Sequence, residues 1–208
     1  MKSYSFSKVF LFLLVLILPL ILGAGIDIND TLLLTQPAIS ASRIAFVYAG
    51  DLWVSDTSGK EVRRLTSDIG VESFPVFSPD GSLIAFSAQY EGNTDVYLVP
   101  ADGGVPKRLT WHPGPDYVQC FTPDGKSVLF VSPRATFNRS HAQLYTVSLE
   151  GGFPEALKIP NAIRAIYSPD GTMIAYNPNV DAFSQWKHYR GGRVSVIWIY
   201  KTSDHSVE

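Results

Sequence analysis

Cysteine and positive charge are both scarce in this sequence, and each scarcity excludes a class of protein. The 208 residues include one cysteine, Cys120, so no internal disulfide can form. Its apolar neighbours predict a buried structural thiol and not a nucleophile. The formal net charge is −2, which excludes the strongly basic surface of a nucleic-acid-binding domain. With 46% hydrophobic residues, the chain can form a core and is too apolar to be disordered.

The common short motifs of catalysis and metal binding are also missing. The sequence has no H-E-x-x-H, no C-x-x-C and no G-x-S-x-G. The four histidines lie in different parts of the chain and share no metal-ligand spacing: His112, His141, His188 and His205. We therefore expect no catalytic residue, no metal and no other cofactor within these residues. His112 is predicted to lie in a loop.

The first 25 residues have the pattern of a signal peptide. Lys2 and Lys8 flank a short polar start, and Phe10–Leu22 is an unbroken apolar run that is too short for a comfortable membrane span. The small residues that a signal peptidase needs follow at Leu22–Gly25. We predict a signal peptide over residues 1–25 and a periplasmic or secreted location for the rest. An uncleaved membrane anchor is the alternative, and membrane contact is expected only through this segment.

Nearly the same four residues occur three times in the mature part of the chain. SPDG begins at residue 78, TPDG at 122 and SPDG again at 168, so the spacing is 44 and then 46 residues. Proline in the second position followed by Asp-Gly favours a type I β-turn, in which the aspartate caps its own backbone. A turn that recurs at a nearly constant period indicates one supersecondary unit that is used several times.

Each unit is predicted to be a four-stranded antiparallel β-meander, of the kind called PD40 or WD-like repeats. The fold class is therefore all-β, with a partial β-propeller of about four blades over residues 31–208. The blades are expected at about 38–67, 71–111, 116–159 and 162–208. The first lacks a recognisable opening strand and the fourth is incomplete, so we expect the chain to be a fragment of a longer protein.

Aromatic residues at equivalent places in the units are predicted to form the core between blades, because a blade buries its two faces only against its neighbours. They are Phe77, Phe86, Tyr97, Phe121, Phe130, Tyr145, Tyr167, Tyr176 and Trp198. Two aspartates, Asp116 and Asp181, are candidates for the rim or central channel of the propeller.

The repeats resemble a known group of propellers. The sequences DLW, RLT and FSPDG…IAF are similar to the repeats of TolB-like and tricorn-like proteins. A more specific stretch is WKHYRGG at residues 186–192, which precedes VIWIY and resembles a segment of the first, six-bladed propeller of tricorn proteases. Leu32–Trp53 resembles the start of that propeller, so the resemblance covers roughly residues 31–202.

The resemblance implies a role in proteolysis. Tricorn-like proteins are large serine peptidases whose propellers are thought to form guarded channels, while the catalytic domains lie much later in the chain. It implies that this fragment guides or gates peptide substrates and products without supplying catalytic residues. The implied partners are peptides or unfolded protein segments and the remaining domains of the parent chain, with a homo-oligomer as a further possibility. The export signal departs from the cytosolic archetype and fits secreted bacterial relatives.

The WKHYRGG stretch supplies the candidate substrate-binding residues, Trp186, His188, Tyr189 and Arg190. The guanidinium group of Arg190 could hold a carboxylate or backbone carbonyls in a bidentate geometry. Alternatively, these side chains only attach the long loop of the fourth blade to its neighbour. Two other functions stay open: a TolB-like periplasmic module that acts through protein contacts, and a propeller joined to an α/β-hydrolase peptidase. Whether the protein is an enzyme is therefore left open by the sequence.

Overall fold

The computed structural model of the chain describes residues 34–136, 141–179, 191 and 194–208. The predicted signal peptide lies outside the described residues, as do Trp186, His188, Tyr189 and Arg190. Within the described part of the chain, no helix is long and apolar enough to cross a membrane.

The described residues form fifteen strands, which are arranged in four antiparallel sheets in chain order. Each sheet is one blade. Blade 1 contains β1 (Thr35–Ile39), β2 (Arg43–Tyr48), β3 (Asp51–Asp56) and β4 (Arg63–Arg64). Blade 2 contains β5 (Glu72–Phe77), β6 (Leu83–Ala88), β7 (Asp95–Pro100) and β8 (Lys107–Arg108). Blade 3 contains β9 (Tyr117–Phe121), β10 (Ser127–Ser132), β11 (Gln143–Ser148) and β12 (Glu155–Ala156). Blade 4 contains β13 (Arg164–Tyr167), β14 (Met173–Asn177) and β15 (Trp198–Lys201).

The expected all-β fold of propeller blades is confirmed, with one correction in the first unit. The prediction that this unit lacks an opening strand was wrong, because β1 pairs with β2 in the position that β5 and β9 hold in their blades. The segment TQPAI, which contains Pro37, was missed because no PDG turn follows it. A bulge in β1 between Thr35 and Ala38 accommodates that proline.

The end of blade 4 has the start of a fourth strand. Val207 forms a bridge with Tyr200, and Ile199 and Glu208 exchange backbone hydrogen bonds of 2.8 and 2.9 Å. Glu208 is therefore the strand partner of Ile199. At the equivalent position of blade 2, Lys107 is the strand partner of Leu98.

The core lies between neighbouring blades, as the aromatic pattern predicts. Paired strands stack Phe86 on Tyr97 and Phe130 on Tyr145, with ring centroids 5.9 and 5.7 Å apart. These four rings are buried, as are Phe121 and Tyr176, whereas Phe77 and Tyr167 are half-buried.

Trp198 is the exception, because its side chain is 43% exposed and only its edge contacts Tyr176. In blade 2 the equivalent residue, Tyr97, is 5% exposed and pairs with Arg108 of the fourth strand.

The PDG turns connect the first two strands of blades 2, 3 and 4. The carboxylate of Asp80 accepts hydrogen bonds from the Ser78 and Ser82 hydroxyls and from the Ser82 backbone N–H. These bonds, from Ser78 first, lower the pKa of Asp80 to about 2. Asp124 and Asp170 have the same type of contacts and also have lowered pKa values. The structural role predicted for these aspartates is confirmed.

Candidate functional site

The first strands of the four blades line a shared cleft of about 510 Å³, which we call the inner cleft. The residues that matter below are Gln36 from blade 1, Phe74 from blade 2, Gln119 from blade 3, and Arg164, Ile166 and Asn177 from blade 4. Each first strand pairs with a neighbour on one side only, so its other edge is directed away from its own sheet. The inner cleft therefore combines strand edges with amide, aromatic and cationic side chains.

Two residues of the inner cleft have strained backbone conformations. Gln36 and Phe74 both have a φ of 52°, and both lie at bulges directly before a proline. Positive φ is costly for residues with a side chain, by about 1–3 kcal/mol each, and such strain is concentrated at functional positions. The two bulges occupy the first strands of blades 1 and 2.

Amide side chains satisfy backbone donors that these strand edges present. The Gln36 carbonyl oxygen accepts the Phe74 N–H, and the Gln119 carbonyl oxygen accepts the Ala165 N–H at 3.1 Å. The Gln119 amide nitrogen donates in turn to the backbone oxygens of Tyr117 and Val118, at 3.2 and 3.1 Å. Each of the two glutamines thus connects its own blade to the next. These hydrogen bonds hold this wall of the inner cleft in place without a ligand.

Phe74 forms the aromatic centre of the inner cleft. The edge of its ring meets the ring of Tyr117 in blade 3, with centroids 5.6 Å apart. The guanidinium carbon of Arg164 in blade 4 lies 4.7 Å from the Phe74 centroid, a cation–π contact. The three residues come from three blades, so only the folded propeller brings them together.

The candidate residues of the WKHYRGG stretch lie outside the described residues, and their role stays a prediction. The chain on either side of this stretch is described, however. Asn177, at the end of β14, donates to the Ser195 hydroxyl at 3.1 Å and to the Val196 backbone oxygen at 2.7 Å. Because Asn177 and Ile197 both line the inner cleft, the long loop of blade 4 begins and ends beside it.

Other predicted positions have structural roles. The prediction that Asp116 lines a rim or channel was wrong, since its side chain is 0% exposed and pairs with Arg134 at 2.6 Å. Asp181 lies outside the described residues. The Nδ1 atom of His112 accepts the Gly114 N–H at 2.9 Å in the loop between blades 2 and 3. Burial raises the pKa of Cys120 to about 11, which agrees with the predicted structural thiol.

Sequence reasoning missed the reason for the repeated DLW and RLT segments. In blade 2, Asp95 and Arg108 form an ion pair at 2.7 Å, while the Thr110 hydroxyl accepts the Val96 N–H at 3.0 Å. Blade 1 repeats both contacts, with Asp51 and Arg64 at 2.7 Å and with Thr66 accepting from Leu52 at 2.9 Å. The repeated segments therefore join the third strand of a blade to the fourth.

The inner-cleft residues were also missed, although one signal in the sequence could have indicated them. Pro37 and Pro75 both stand three residues before a serine, Ser40 and Ser78, that begins the turn into the second strand. The residues before these prolines are the strained Gln36 and Phe74. Within the described ranges, no group of three or more histidine, cysteine or acidic side chains is placed to hold a metal ion.

Comparison with known proteins identifies tricorn proteases as relatives of this chain. The sequence profile described as the tricorn protease N-terminal β-propeller domain matches residues 31–208. Tricorn protease homolog 1 of Streptomyces coelicolor is 31% identical over 183 residues, which cover 82% of this chain and 17% of that protein. The crystal structure of the tricorn protease superposes with a TM-score of 0.72 at 29% identity, covering 85% of this chain and 18% of that one.

TolB proteins form a second group of relatives, whose structures superpose on the same blades. TolB from Acinetobacter baumannii superposes with a TM-score of 0.65 at 25% identity, covering 84% of this chain and 42% of that one. The chain spans less than a fifth of the length of the tricorn relatives that it matches.

Proposed function

The chain belongs to the tricorn protease N-terminal β-propeller family, and we propose that it is the peptide-handling propeller of a larger serine peptidase. In this role the blades guide or gate peptide substrates and products, while other domains of the parent chain supply the catalytic residues. The observation that carries the proposal is the family match over residues 31–208, which includes every described residue.

The inner cleft supports a peptide as the ligand. An extended peptide carries unpaired N–H and C=O groups, and it can bind by adding to the edge of a sheet. The first strands present such edges, and Gln36 and Gln119 already satisfy two of their N–H groups through side-chain amides. Aromatic and aliphatic side chains at Phe74 and Ile166 offer apolar contact beside these polar groups.

Export is part of the proposal and rests on the sequence of residues 1–25. A short apolar run after Lys2 and Lys8, followed by small residues, supports a signal peptide and a periplasmic or secreted protein. An exported peptidase of this family would act on peptides outside the cytoplasm. Trp186, His188, Tyr189 and Arg190 are proposed as further peptide contacts, because the described ends of their loop lie at the inner cleft.

A TolB-like interaction module is the second candidate, favoured by the superposition on TolB. The two functions differ in the ligand. A peptide-handling propeller binds unstructured segments in its inner cleft, whereas an interaction module binds a folded protein on its surface.

Peptide binding to the chain tests the proposal. We expect a fluorescent unstructured peptide to bind, as measured by anisotropy, and Ile166→Glu to abolish the binding by placing a charge in the inner cleft, where Ile166 is 60% exposed. Ile69→Glu is the matched control, since Ile69 is 98% exposed and is not among the residues that line the inner cleft. An absence of peptide binding, or equal losses in both variants, would contradict the proposal.

A further inference from the structure

We propose that the propeller has a second peptide subsite, a pocket that takes one large apolar side chain of the peptide bound in the inner cleft. This pocket, which we call the turn pocket, has a volume of about 270 Å³ and lies where the first strands of blades 2, 3 and 4 enter their PDG turns. Phe77, Phe121, Ile166 and Tyr167 line it together with the prolines of the three turns. The inference rests on the proposed peptide-handling function and adds to it a class of preferred peptides, those with a large aliphatic or aromatic residue.

The turn pocket continues the inner cleft along the direction of the strands. In β5 the inner cleft contacts Phe74–Val76, and the turn pocket contacts the next residue, Phe77. In β9 the change falls between Gln119 and Cys120, and in β13 Ile166 lines both cavities. All three strands therefore run in the same direction from one cavity into the other. An extended peptide rises about 3.3 Å per residue, so a peptide that adds to these strands in the inner cleft reaches the turn pocket within a few residues.

The turn pocket offers no charge to a ligand. None of the described residues that line it is acidic or basic. Its two titratable groups, Cys120 and Tyr167, are neutral near pH 7, because burial raises the pKa of both above their usual values. The hydroxyl groups of Thr122 and Ser168 donate to the aspartates of their own turns, at 2.6 Å in each case. A charged side chain would therefore lose hydration in this pocket without gaining a charged partner, whereas an apolar side chain has no such cost.

The two cavities recognise different parts of the ligand. The strand edges of the inner cleft can bind backbone N–H and C=O groups, which all peptides share. The turn pocket contacts a side chain, which differs between peptides. Because full burial of a leucine or phenylalanine side chain favours binding by at least about tenfold, the turn pocket decides which peptides bind tightly.

Competition by peptides with one guest residue tests the turn pocket. A fluorescent unstructured peptide is displaced from the full chain by short unlabelled peptides of glycine, serine and glutamine, which carry phenylalanine, leucine, serine or aspartate at the central position. We expect the phenylalanine and leucine peptides to bind about tenfold more tightly than the serine peptide. The aspartate peptide should bind more weakly than the serine peptide, because its carboxylate is not solvated in the pocket.

Pro169→Glu tests where this preference arises. Pro169 is exposed and lines the turn pocket, and the second position of a type I turn accepts glutamate, so the variant adds a charge without changing the strands. The phenylalanine and leucine peptides should lose their advantage, while the serine peptide binds as before. Pro79→Glu, at the equivalent exposed position of blade 2, should have the same effect and serves if Pro169→Glu fails to fold.

Two variants are controls for this test. Pro169→Ala removes the proline without adding a charge. Pro106→Glu adds the same charge before β8, at a residue that is not among those lining either cavity. Both variants should keep the preference for phenylalanine and leucine.

The outcomes separate this inference from the proposed function. If the fluorescent peptide does not bind the unmodified chain, the proposed function is overturned and the turn pocket with it. If that peptide binds but the four guest peptides compete equally or not at all, the turn pocket alone is overturned. Equal losses for the serine and phenylalanine peptides in Pro169→Glu would overturn it as well. Thermal unfolding of every variant checks that the blades are intact.

Discussion

Glu72, at the start of β5, is a buried carboxylate. Its side chain is 1% exposed, and one carboxylate oxygen accepts the Tyr90 hydroxyl at 2.6 Å, while the other has no hydrogen-bond partner among the described residues. The equivalent carboxylate in the next blade, that of Asp116, instead pairs with Arg134. Burial, more than the nearby charge of Asp51, raises the pKa of Glu72 above its usual value of 4.5.

The raised pKa predicts how the free energy of unfolding depends on pH. The folded state favours the protonated form of Glu72. The stabilisation that Glu72 gives to the folded state is therefore present below pH 4.5, and it is lost as the pH rises through the higher pKa of the folded state. We expect Glu72→Gln to remove this loss, because the amide is neutral at every pH and can still accept from Tyr90. Urea unfolding over a pH series measures the effect.

Exposed Glu155 in β12 supplies the control substitution, Glu155→Gln, which should leave the pH profile unchanged. Asp80 titrates well below this pH range, because hydrogen bonds from Ser78 and Ser82 hold its pKa at about 2. If the free energy of unfolding changed with pH in the same way for Glu72→Gln and for the unmodified chain, the burial of Glu72 would not disfavour its charged form.

Contacts between blades were hard to predict for single residues. The sequence indicates that Phe74 belongs to a first strand, but its contact with Arg164 depends on a bulge and on the angle between blades 2 and 4. The same limit applies to Asp116. It was a candidate for the rim or channel, whereas its side chain is buried and pairs with Arg134.

At the scale of strands and turns, the glycine of each PDG turn has two roles. Gly125 and Gly171 have φ values of 69° and 72°, which residues with a side chain rarely adopt. Both also lie against the proline of the preceding turn. A Cβ atom at Gly125 would lie 3.6 Å from Pro79, and one at Gly171 would lie 3.3 Å from Pro123. The turns of successive blades are therefore packed against each other.

Alanine substitution separates the two roles. Gly151, in a turn of blade 3, has a φ of 92° and would place a Cβ atom in open space. We expect Gly151→Ala to lower the free energy of unfolding by about 1–2 kcal/mol through its backbone alone. Gly171→Ala should cost more, because its Cβ is also crowded by Pro123, and chemical denaturation measures both.

The combined Pro123→Ala/Gly171→Ala variant isolates the crowding. It should lose less stability than the sum of the two single variants, because the smaller side chain relieves the contact. Strict additivity, or equal costs at Gly151 and Gly171, would mean that the packed turns do not stabilise one another.

The turns also explain which elements the sequence could predict. A repeated PDG turn marks the junction of the first two strands, so blades 2, 3 and 4 could be aligned by their spacing. Blade 1 has the shorter turn at Ser40 and no such marker, and β1 was missed although it pairs like the others. Trp198 was assigned to the core by alignment, whereas its side chain is 43% exposed and meets only the edge of the core at Tyr176.

At the scale of the whole molecule, the repeated units specify the architecture and the inner cleft follows from it. Each blade has apolar residues on both faces, so the blades pack side by side and their first strands converge. The fold and the family could be predicted from the repeats and from the WKHYRGG stretch. The inner cleft could not, because its residues come from four blades and only packing brings them together.

Membership in the tricorn protease N-terminal β-propeller family leads to the central claim, that this propeller serves a serine peptidase. The most direct measurement recovers the protein from its producing cells with an antibody against the blades. It then adds a fluorophosphonate probe, which reacts with activated serine nucleophiles. We predict that the recovered polypeptide is labelled, and that its hydrolysis of peptides stops after labelling. Recovery of an unlabelled polypeptide that hydrolyses no peptide would contradict the claim.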